Sequence, residues 1–299
     1  DWKLADPRSD KYTAPAAFDD IGVSSNELIT TGIYTQSAPG ARPTVARLIR
    51  SQEHYESMRV RLYRFHGSAA GPTLPNGQVL VVDWETRQFS YQGQNYQLSG
   101  PPQNGSTFRT FDSLEQAEQY VQNDTTSQIG GLAGIPSEQI DALEHYRLVH
   151  TSEAQRSGVG QWVKTFERVD GATVEGTGPA NATVSARVQL DMPNANRTFT
   201  YVQQARTDEQ GRFTMTLPYS STGYDEWGPE RGHTNVSVRA TGPYEFRATT
   251  GSGNGSVTVY NTTADVSEAK VIGEESGPVQ VSLERSQVIQ PGASNGSSN

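Results

Sequence analysis

The spacing of hydrophobic residues changes along the chain and predicts two different regions. Up to about residue 168, helical and strand patterns alternate. One helical stripe is formed by four apolar residues at suitable spacing, namely Tyr55, Met58, Leu62 and Phe65. Gly67 follows this stripe at the place where a left-handed helix cap is expected. This part of the chain therefore predicts a mixed α/β domain over residues 1–168.

Other signals in the same region predict strands and short helices. The apolar run 79–84 is typical of a buried strand, and Gln92-Gly93-Gln94 lies between two aromatic segments as a hairpin turn would. Ser113, with Gln116 three residues later, forms a capping box at the start of a helix. Ser137 predicts the start of another helix, whose Ile140 and Leu143 would face inward.

After Gly171 the hydrophobic period becomes two residues, which is the period of half-buried strands. The run from Val184 to Leu190 alternates strictly, and similar runs recur with Gly, Asn, Asp or Pro between them. This spacing predicts an antiparallel β-sandwich of seven or eight strands over residues 169–287. Its turn Asp208-Glu209-Gln210-Gly211 resembles those of transthyretin-like and carboxypeptidase-regulatory sandwiches. The predicted fold class is thus α+β, with a flexible tail at 288–299.

Charge and composition exclude several classes of protein. The formal net charge is −9, which argues against a nucleic-acid partner because phosphates demand a basic surface. No apolar run approaches the roughly 20 residues of a spanning helix, and no cysteine is present. Only four of the 24 basic residues are lysine. An acidic surface poor in lysine favours a high-salt environment, although a mesophile with a GC-rich genome would give the same balance.

Sites for N-glycosylation are unusually frequent. Roughly three times as many Asn-x-Ser/Thr triplets occur as the residue frequencies give by chance, and such acceptors belong on exported proteins. The alternative is that polar sequence generates triplets that are never used. The eight candidate residues are Asn104, Asn123, Asn181, Asn196, Asn235, Asn254, Asn261 and Asn295.

Familiar catalytic motifs are missing from the chain. The five histidines have no partner at the spacing of metal ligands, so we expect them to be structural or exposed. The glycines of 251–255 precede a strand pattern rather than a helix, which indicates a turn. The segment 224–228 joins aromatic and acidic residues, as sugar-binding loops can, but a packed corner is the preferred interpretation.

Several stretches together resemble the extracytoplasmic C-terminal region of haloarchaeal AglB, the archaeal oligosaccharyltransferase family. The resemblance covers most of the chain except the tail. It is carried by the segments 1–5, 11–12, 58–68, 142–150, 163–168 and 211–219.

This resemblance implies a part of a membrane enzyme that transfers a glycan from a dolichol phosphate carrier to the Asn of a sequon. The family uses acidic residues on membrane loops and a divalent metal, Mg or Mn, together with a Trp-Trp-Asp-Tyr-Gly motif. The four tryptophans of this chain are never adjacent. The resemblance therefore implies that catalytic residues and metal lie upstream, that this fragment holds no cofactor, and that it is inactive alone.

One family element has a counterpart at the start of the chain. Asp1-Trp2-Lys3-Leu4 resembles the Asp-x-x-Met signature of the pocket for the acceptor Ser or Thr, with Leu4 in place of Met. Asp1 and Leu4 are therefore the predicted acceptor-binding residues. The implied location is the extracytoplasmic face of the cell membrane, reached through a membrane segment outside this chain.

A second hypothesis from another class explains the same composition. A glycosylated surface adhesin or an S-layer-type structural module would also be acidic, rich in sequons and built from a sandwich. The sequence that precedes Asp1 would separate the two, because several spanning helices ending in Trp-Trp-Asp-Tyr-Gly indicate the transferase.

The acidic excess makes stability depend on salt. We expect the melting temperature to fall as KCl is lowered from molar to millimolar concentration. The acidic side chains outnumber the basic ones by 33 to 24, and without screening this excess of negative charge repels itself. Thermal unfolding followed by circular dichroism measures this, with a neutral osmolyte as the control for osmolarity. A melting temperature that stays flat or rises would contradict the high-salt interpretation.

Overall fold

The structure is a computed structural model in which most of the regular structure is β-strand, in largely antiparallel sheets with few helices. It describes residues 29–35, 44–50, 52–71, 79–83, 85–100, 108–123, 127–129, 136–153, 163–251 and 256–289. Within these ranges, no helix has the length and apolar character needed to cross a bilayer.

The chain forms two compact units. The first comprises Asp1–Arg61 and Ala70–Ile140, and the second comprises Leu62–Ala69 and Asp141–Asn299. The sequence predicts a boundary after residue 168, whereas these units divide after Ile140. The second unit also takes in a short segment from far earlier in the chain. The contacts that join this short segment to the rest of the second unit are described below. They involve side chains and loops, which hydrophobic periodicity does not reveal.

The described strands of the first unit form two sheets. The first sheet contains β1 (Ile29–Thr35), β2 (Thr44–Arg50), β4 (Glu85–Tyr91) and β5 (Gln94–Gly100). They lie in the order β2-β1-β5-β4, in which β1 and β5 run parallel and the other pairs antiparallel. The predicted hairpin is confirmed, since Gln92 and Gly93 both have positive φ between β4 and β5.

The second sheet of this unit has β3 (Val79–Asp83) between β6 (Phe108–Phe111) and β7 (Ser127–Ile129). The predicted buried strand is thus confirmed. Helix α3 (Leu114–Asn123) packs on this sheet through Ala117, which is fully buried with Val79 and Val81. Ser113 caps the helix as expected, because its Oγ accepts the N–H of Gln116 at 3.3 Å.

Two helical predictions were wrong in this part of the chain. The single stripe from Tyr55 is split into α1 (Gln52–Glu56) and α2 (Met58–Tyr63), so that Val60 is buried while Met58 is 44% exposed. Ser57 separates them, donating its hydroxyl to the carbonyl of His54 at 2.8 Å. The helix expected after Ser137 does not form. Ile140 instead pairs its backbone with Ala70, so its N–H is not available to a helix.

The described strands of the second unit form three sheets. The strands are β8 (Tyr146–Thr151), β9 (Lys164–Arg168), β10 (Ala172–Thr177), β11 (Thr183–Met192), β12 (Arg197–Arg206), β13 (Arg212–Leu217), β14 (Arg239–Ala240), β15 (Tyr244–Gly251), β16 (Val257–Ala264), β17 (Val279–Ser282) and β18 (Glu284–Ile289). The largest sheet has the order β12-β11-β15-β16-β18, and β14 pairs with β11. A second sheet has the order β13-β10-β17, and β8 pairs with β9 in the third.

The two larger sheets contribute to one hydrophobic core. In β11 every second residue from Val184 to Met192 is buried, as the alternating pattern predicts. Gly176 occupies the third inward position of β10, where no larger residue fits. A Cβ there would lie 2.4 Å from the ring of Phe213 and 2.5 Å from Val281. Phe213 thus fills the space that a side chain of β10 would otherwise occupy.

The predicted turn between β12 and β13 is confirmed. The carboxylate of Asp208 accepts the backbone N–H groups of Gln210 at 2.9 Å and Arg212 at 2.7 Å. Gly211 has a φ of +77°, which favours glycine. The hydrogen bond from the backbone of Arg212, helped by its guanidinium, lowers the pKa of the exposed Asp208 carboxyl.

A buried ionic network joins three separate parts of the second unit. Arg147 of β8 is 1% exposed and donates both terminal nitrogens to the carboxylate of Glu268 at 2.7 Å, in α4 (Glu268–Val271). Its Nε donates to Glu167 of β9 at 2.9 Å. Ser220 donates its hydroxyl to Glu268 at 2.5 Å. Burial alone would lower the pKa of Arg147, but the hydrogen bonds and charges of Glu268 and Glu167 raise it.

Tyr219 connects the early segment to the rest of the unit. Its hydroxyl accepts the N–H of Leu148 at 2.7 Å and donates to the carbonyl of His66 at 2.9 Å. A third contact comes from Tyr244, whose hydroxyl donates to the carbonyl of Tyr219 at 2.9 Å. One buried phenol therefore satisfies backbone groups from two segments that lie far apart in sequence.

We expect Arg147→Ala to lower the free energy of unfolding by about 3–5 kcal/mol, because it leaves Glu268 buried without its cation. Chemical denaturation at molar KCl measures the loss. The control is Arg212→Ala. Arg212 and its partner Asp208 are both exposed, so this ion pair should contribute little to stability. Equal losses in the two variants would contradict the importance of the network.

Candidate functional site

Most sequence-predicted sites on this chain are either exposed or outside the described residues. Asp1 and Leu4 fall outside them, as do Asn104, Asn254 and Asn295. The other candidate glycosylation residues are all exposed, namely Asn123, Asn181, Asn196, Asn235 and Asn261. Exposure is needed for a bulky glycan, so these five stay candidates.

Their local geometry differs from one sequon to another. Asn181 and Asn196 both have left-handed backbone at turns, with φ of 54° and 49°. Asn235 begins a sequon whose third residue, Ser237, donates its hydroxyl to the carbonyl of Val149 at 2.9 Å. The hydroxyl of that sequon is therefore already used inside the fold.

Three histidines make contacts of a structural kind. Nδ1 of His145 lies 2.9 Å from the carbonyl oxygen of Asp170, and Nδ1 of His150 lies 3.3 Å from the hydroxyl of Ser237. His233 lies 3.9 Å from a carboxylate oxygen of Glu274. Over the described ranges, no three His, Asp or Glu side chains are grouped so that they could hold a metal ion. These residues thus do not fit the divalent metal that the resemblance implies for the longer protein.

The segment 224–228 forms a packed corner. Tyr224 donates its hydroxyl to the carbonyl of Ser220 and accepts the N–H of Ala240. The half-buried ring of Trp227 lies edge-on to His233 at 5.4 Å, with the guanidinium of Arg231 5.1 Å from its centre. One face of the Trp227 ring thus already contacts a side chain of the protein, Arg231, as expected for a packed corner.

The most unusual polar cluster of the second unit is formed by His66 and Lys164. The ammonium of Lys164 donates to Nε2 of His66 at 2.8 Å and to the carbonyl of Tyr63 at 2.5 Å. It also lies 4.3 Å from the centre of the Tyr63 ring, which is a cation–π distance. Because Nε2 accepts a hydrogen bond, His66 is neutral, with its proton on Nδ1.

Strand β12 covers the other side of this cluster. The ring of Phe199 meets the ring of His66 edge-on at 4.5 Å between centres. Arg197 lies two residues before Phe199, so it projects from the same face of the strand. We call Tyr63, His66, Lys164, Arg197 and Phe199 the lysine cluster.

Burial and like charge shift both basic groups of the lysine cluster. Burial, followed by repulsion from Lys164 and Arg197, lowers the pKa of His66 to about 3. Burial and repulsion from Arg197 lower the pKa of Lys164 to about 8. At neutral pH the cluster therefore holds a neutral imidazole and two cations.

Sequence reasoning missed this cluster. His66 and Lys164 are 98 residues apart, so no spacing rule relates them. The sequence offered one signal. Lysine is scarce in this chain, so a lysine that lies between aromatic residues, as Lys164 does, is unusual.

Comparison with known proteins relates the chain to one family. Residues 171–276 match the family model of the archaeal glycosylation protein B long peripheral domain. The dolichyl-monophosphooligosaccharide–protein glycotransferase AglB of Haloferax volcanii is 44% identical over 317 residues, which covers 96% of this chain and 29% of that protein. The chain thus spans less than a third of this relative.

Solved structures of the Archaeoglobus fulgidus oligosaccharyltransferase are also similar. A complex with Zn and sulfate has a TM-score of 0.43 at 19% identity, covering 87% of this chain and 30% of that one. A form tethered to an acceptor peptide with an NVT sequon has a TM-score of 0.34 at 22% identity, covering 48% and 21%. At these scores the relationship rests on sequence. On that basis the chain is similar to AglB, an archaeal oligosaccharyltransferase, over nearly its whole length, and residues 171–276 match the model of the long peripheral domain of that family.

Proposed function

We propose that the chain is the C-terminal, extracytoplasmic part of a membrane glycotransferase that N-glycosylates Asn in Asn-x-Ser/Thr sequons. The observation that carries this proposal is the 44% identity to the Haloferax volcanii glycotransferase over nearly the whole chain. Such identity over so long a stretch favours the transferase over the adhesin or S-layer-type module.

The partners follow from the same relation. The glycan donor would be a dolichol phosphate-linked oligosaccharide, and the acceptor a polypeptide with a sequon. An Archaeoglobus fulgidus relative has been solved with an inhibitory peptide and a dolichol-phosphate. A divalent metal, Mg or Mn, would be held by residues of the longer protein, since the described residues do not fit it.

The chain's own contribution would be structural support and acceptor recognition. Asp1 and Leu4 would line the acceptor pocket. There Leu4 would contact the methyl group of the acceptor Thr, and the carboxylate of Asp1 would accept a hydrogen bond from its hydroxyl. The region 169–287 would be a sandwich of the transthyretin or carboxypeptidase-regulatory type. The shared core of its two sheets and the turn at Asp208 support this.

A transfer assay tests the proposed function. The full-length protein in membranes should glycosylate an Asn-Val-Thr peptide from a dolichol phosphate-linked glycan, while a Gln-Val-Thr peptide should stay unmodified. Mass spectrometry of the peptide gives the readout. Residues 1–299 alone should form no glycopeptide, and transfer by them would contradict catalysis elsewhere. Failure of the full-length protein would instead favour the surface module.

Acceptor kinetics test the pocket. In the full-length protein, we expect Leu4→Ala to raise the acceptor KM several-fold for Thr peptides and less for Ser peptides, because a methyl contact contributes about 1 kcal/mol. The kcat at saturation should change little. The matched control is Leu190→Ala, a fully buried core change that should lower stability without altering the Thr-to-Ser preference. An unchanged preference in Leu4→Ala would reject the assignment.

A further inference from the structure

We propose that the lysine cluster is a binding site for a phosphate group, with Lys164 and Arg197 as the two cationic ligands. The proposal concerns a free phosphate ion or a phosphate monoester, which present the same oxygens. It does not rest on the proposed transferase function.

The first argument is the way in which Lys164 is held. Its ammonium carries three N–H groups, of which one is donated to His66 and one to Tyr63. The third is left for another acceptor. Both protein partners are neutral, so they orient the ammonium without cancelling its charge. Lys164 as a whole is half-buried, which limits the motion of the ammonium and prepares it for a ligand.

The second argument is the local excess of positive charge. Arg197 projects from the same face of β12 as Phe199, whose ring meets His66, and His66 is bonded to Lys164, so the two cations belong to one neighbourhood. Burial and the charge of Arg197 lower the pKa of Lys164, and His66 is held neutral beside them. In the described part of the second unit, neither cation forms an ion pair with a carboxylate. Burial and mutual repulsion disfavour the charges of these two groups, and a bound anion would relieve both effects.

The third argument concerns the kind of anion. Two cations match a dianion better than the single charge of chloride or of a carboxylate. Arginine offers a planar fork that fits two oxygens of a phosphate, while lysine adds a point charge. The ring of Tyr63 lies beside the ammonium of Lys164. Its partner His66 is packed in turn against the ring of Phe199. These rings lower the local dielectric on the sides of the ammonium that they cover, which strengthens its interaction with an anion.

Lysine NMR provides a direct test. With 13Cε-labelled lysine the chain gives only four signals, from Lys3, Lys11, Lys164 and Lys270. Potassium phosphate is titrated at constant ionic strength against KCl. The Lys164 signal should shift with saturation, whereas Lys270, already paired with Glu275 at 3.1 Å, serves as the internal control. Equal shifts in phosphate and in KCl alone would overturn the proposal.

Variants identify the ligands. Arg197→Gln and Lys164→Gln should each weaken phosphate binding about tenfold or more, the loss expected for one charge-assisted hydrogen bond. Arg197 is exposed, so its replacement keeps the test valid even if Lys164→Gln fails to fold. The matched control, Arg212→Gln, removes an exposed arginine that pairs with Asp208 and should leave binding unchanged. Unchanged binding in Arg197→Gln would overturn the proposal.

Two further ligands define the chemistry. Acetate should bind at least tenfold more weakly than phosphate, and equal binding would overturn the preference for a dianion. Dimethylallyl phosphate, a water-soluble isoprenoid monoester, distinguishes the source. Binding tighter than that of inorganic phosphate supports an isoprenoid phosphate as ligand, and equal binding supports free phosphate.

Discussion

The second unit depends on the burial of one charge, that of Arg147. A guanidinium that is 1% exposed is stable only where carboxylates lie at both ends of its fork, and Glu268 and Glu167 occupy these places. The three residues come from β8, α4 and β9, so their pairing brings together segments up to 121 residues apart. Ser220 and Thr234 complete the network by donating to Glu268 and Glu167, respectively. Such a set of directional bonds specifies a single arrangement, which a purely apolar contact would not.

The ionic network and the lysine cluster are built in opposite ways. The carboxylates of Glu268 and Glu167 balance the charge of Arg147 and raise its pKa, as expected for a structural cation. Lys164 is oriented by neutral groups and lowered in pKa to about 8, because burial and Arg197 both disfavour its charge. Both cations belong to the β8–β9 pair. One strand pair thus carries a charge satisfied within the fold and a second charge that remains open to a ligand.

Sequence patterns predicted the strands of the second unit far better than they predicted the boundaries of that unit and its long-range contacts. Strict alternation in β11 and the Asp208 turn are local signals, and both were confirmed. Strand β15 alternates equally well, with Tyr244 and Phe246 buried, so its signal was available and overlooked. The helix expected after Ser137 does not form, because the backbone of Ile140 pairs instead with that of Ala70, which is distant in sequence. The lysine cluster could not be foreseen, since it depends on side chains that the fold brings together.

The placement of Leu62–Ala69 makes the second unit discontinuous, so that the residues from 70 to 140 are, in topological terms, an insertion within it. During synthesis this short segment must wait until the chain has passed Asp141 before it finds its partners. These include Val202, whose carbonyl accepts the N–H of Ala69 and whose N–H is bonded to Ser68. A domain excised at residue 141 would therefore lack a structural part of itself, whereas one that joins the segment directly to Asp141 would retain it.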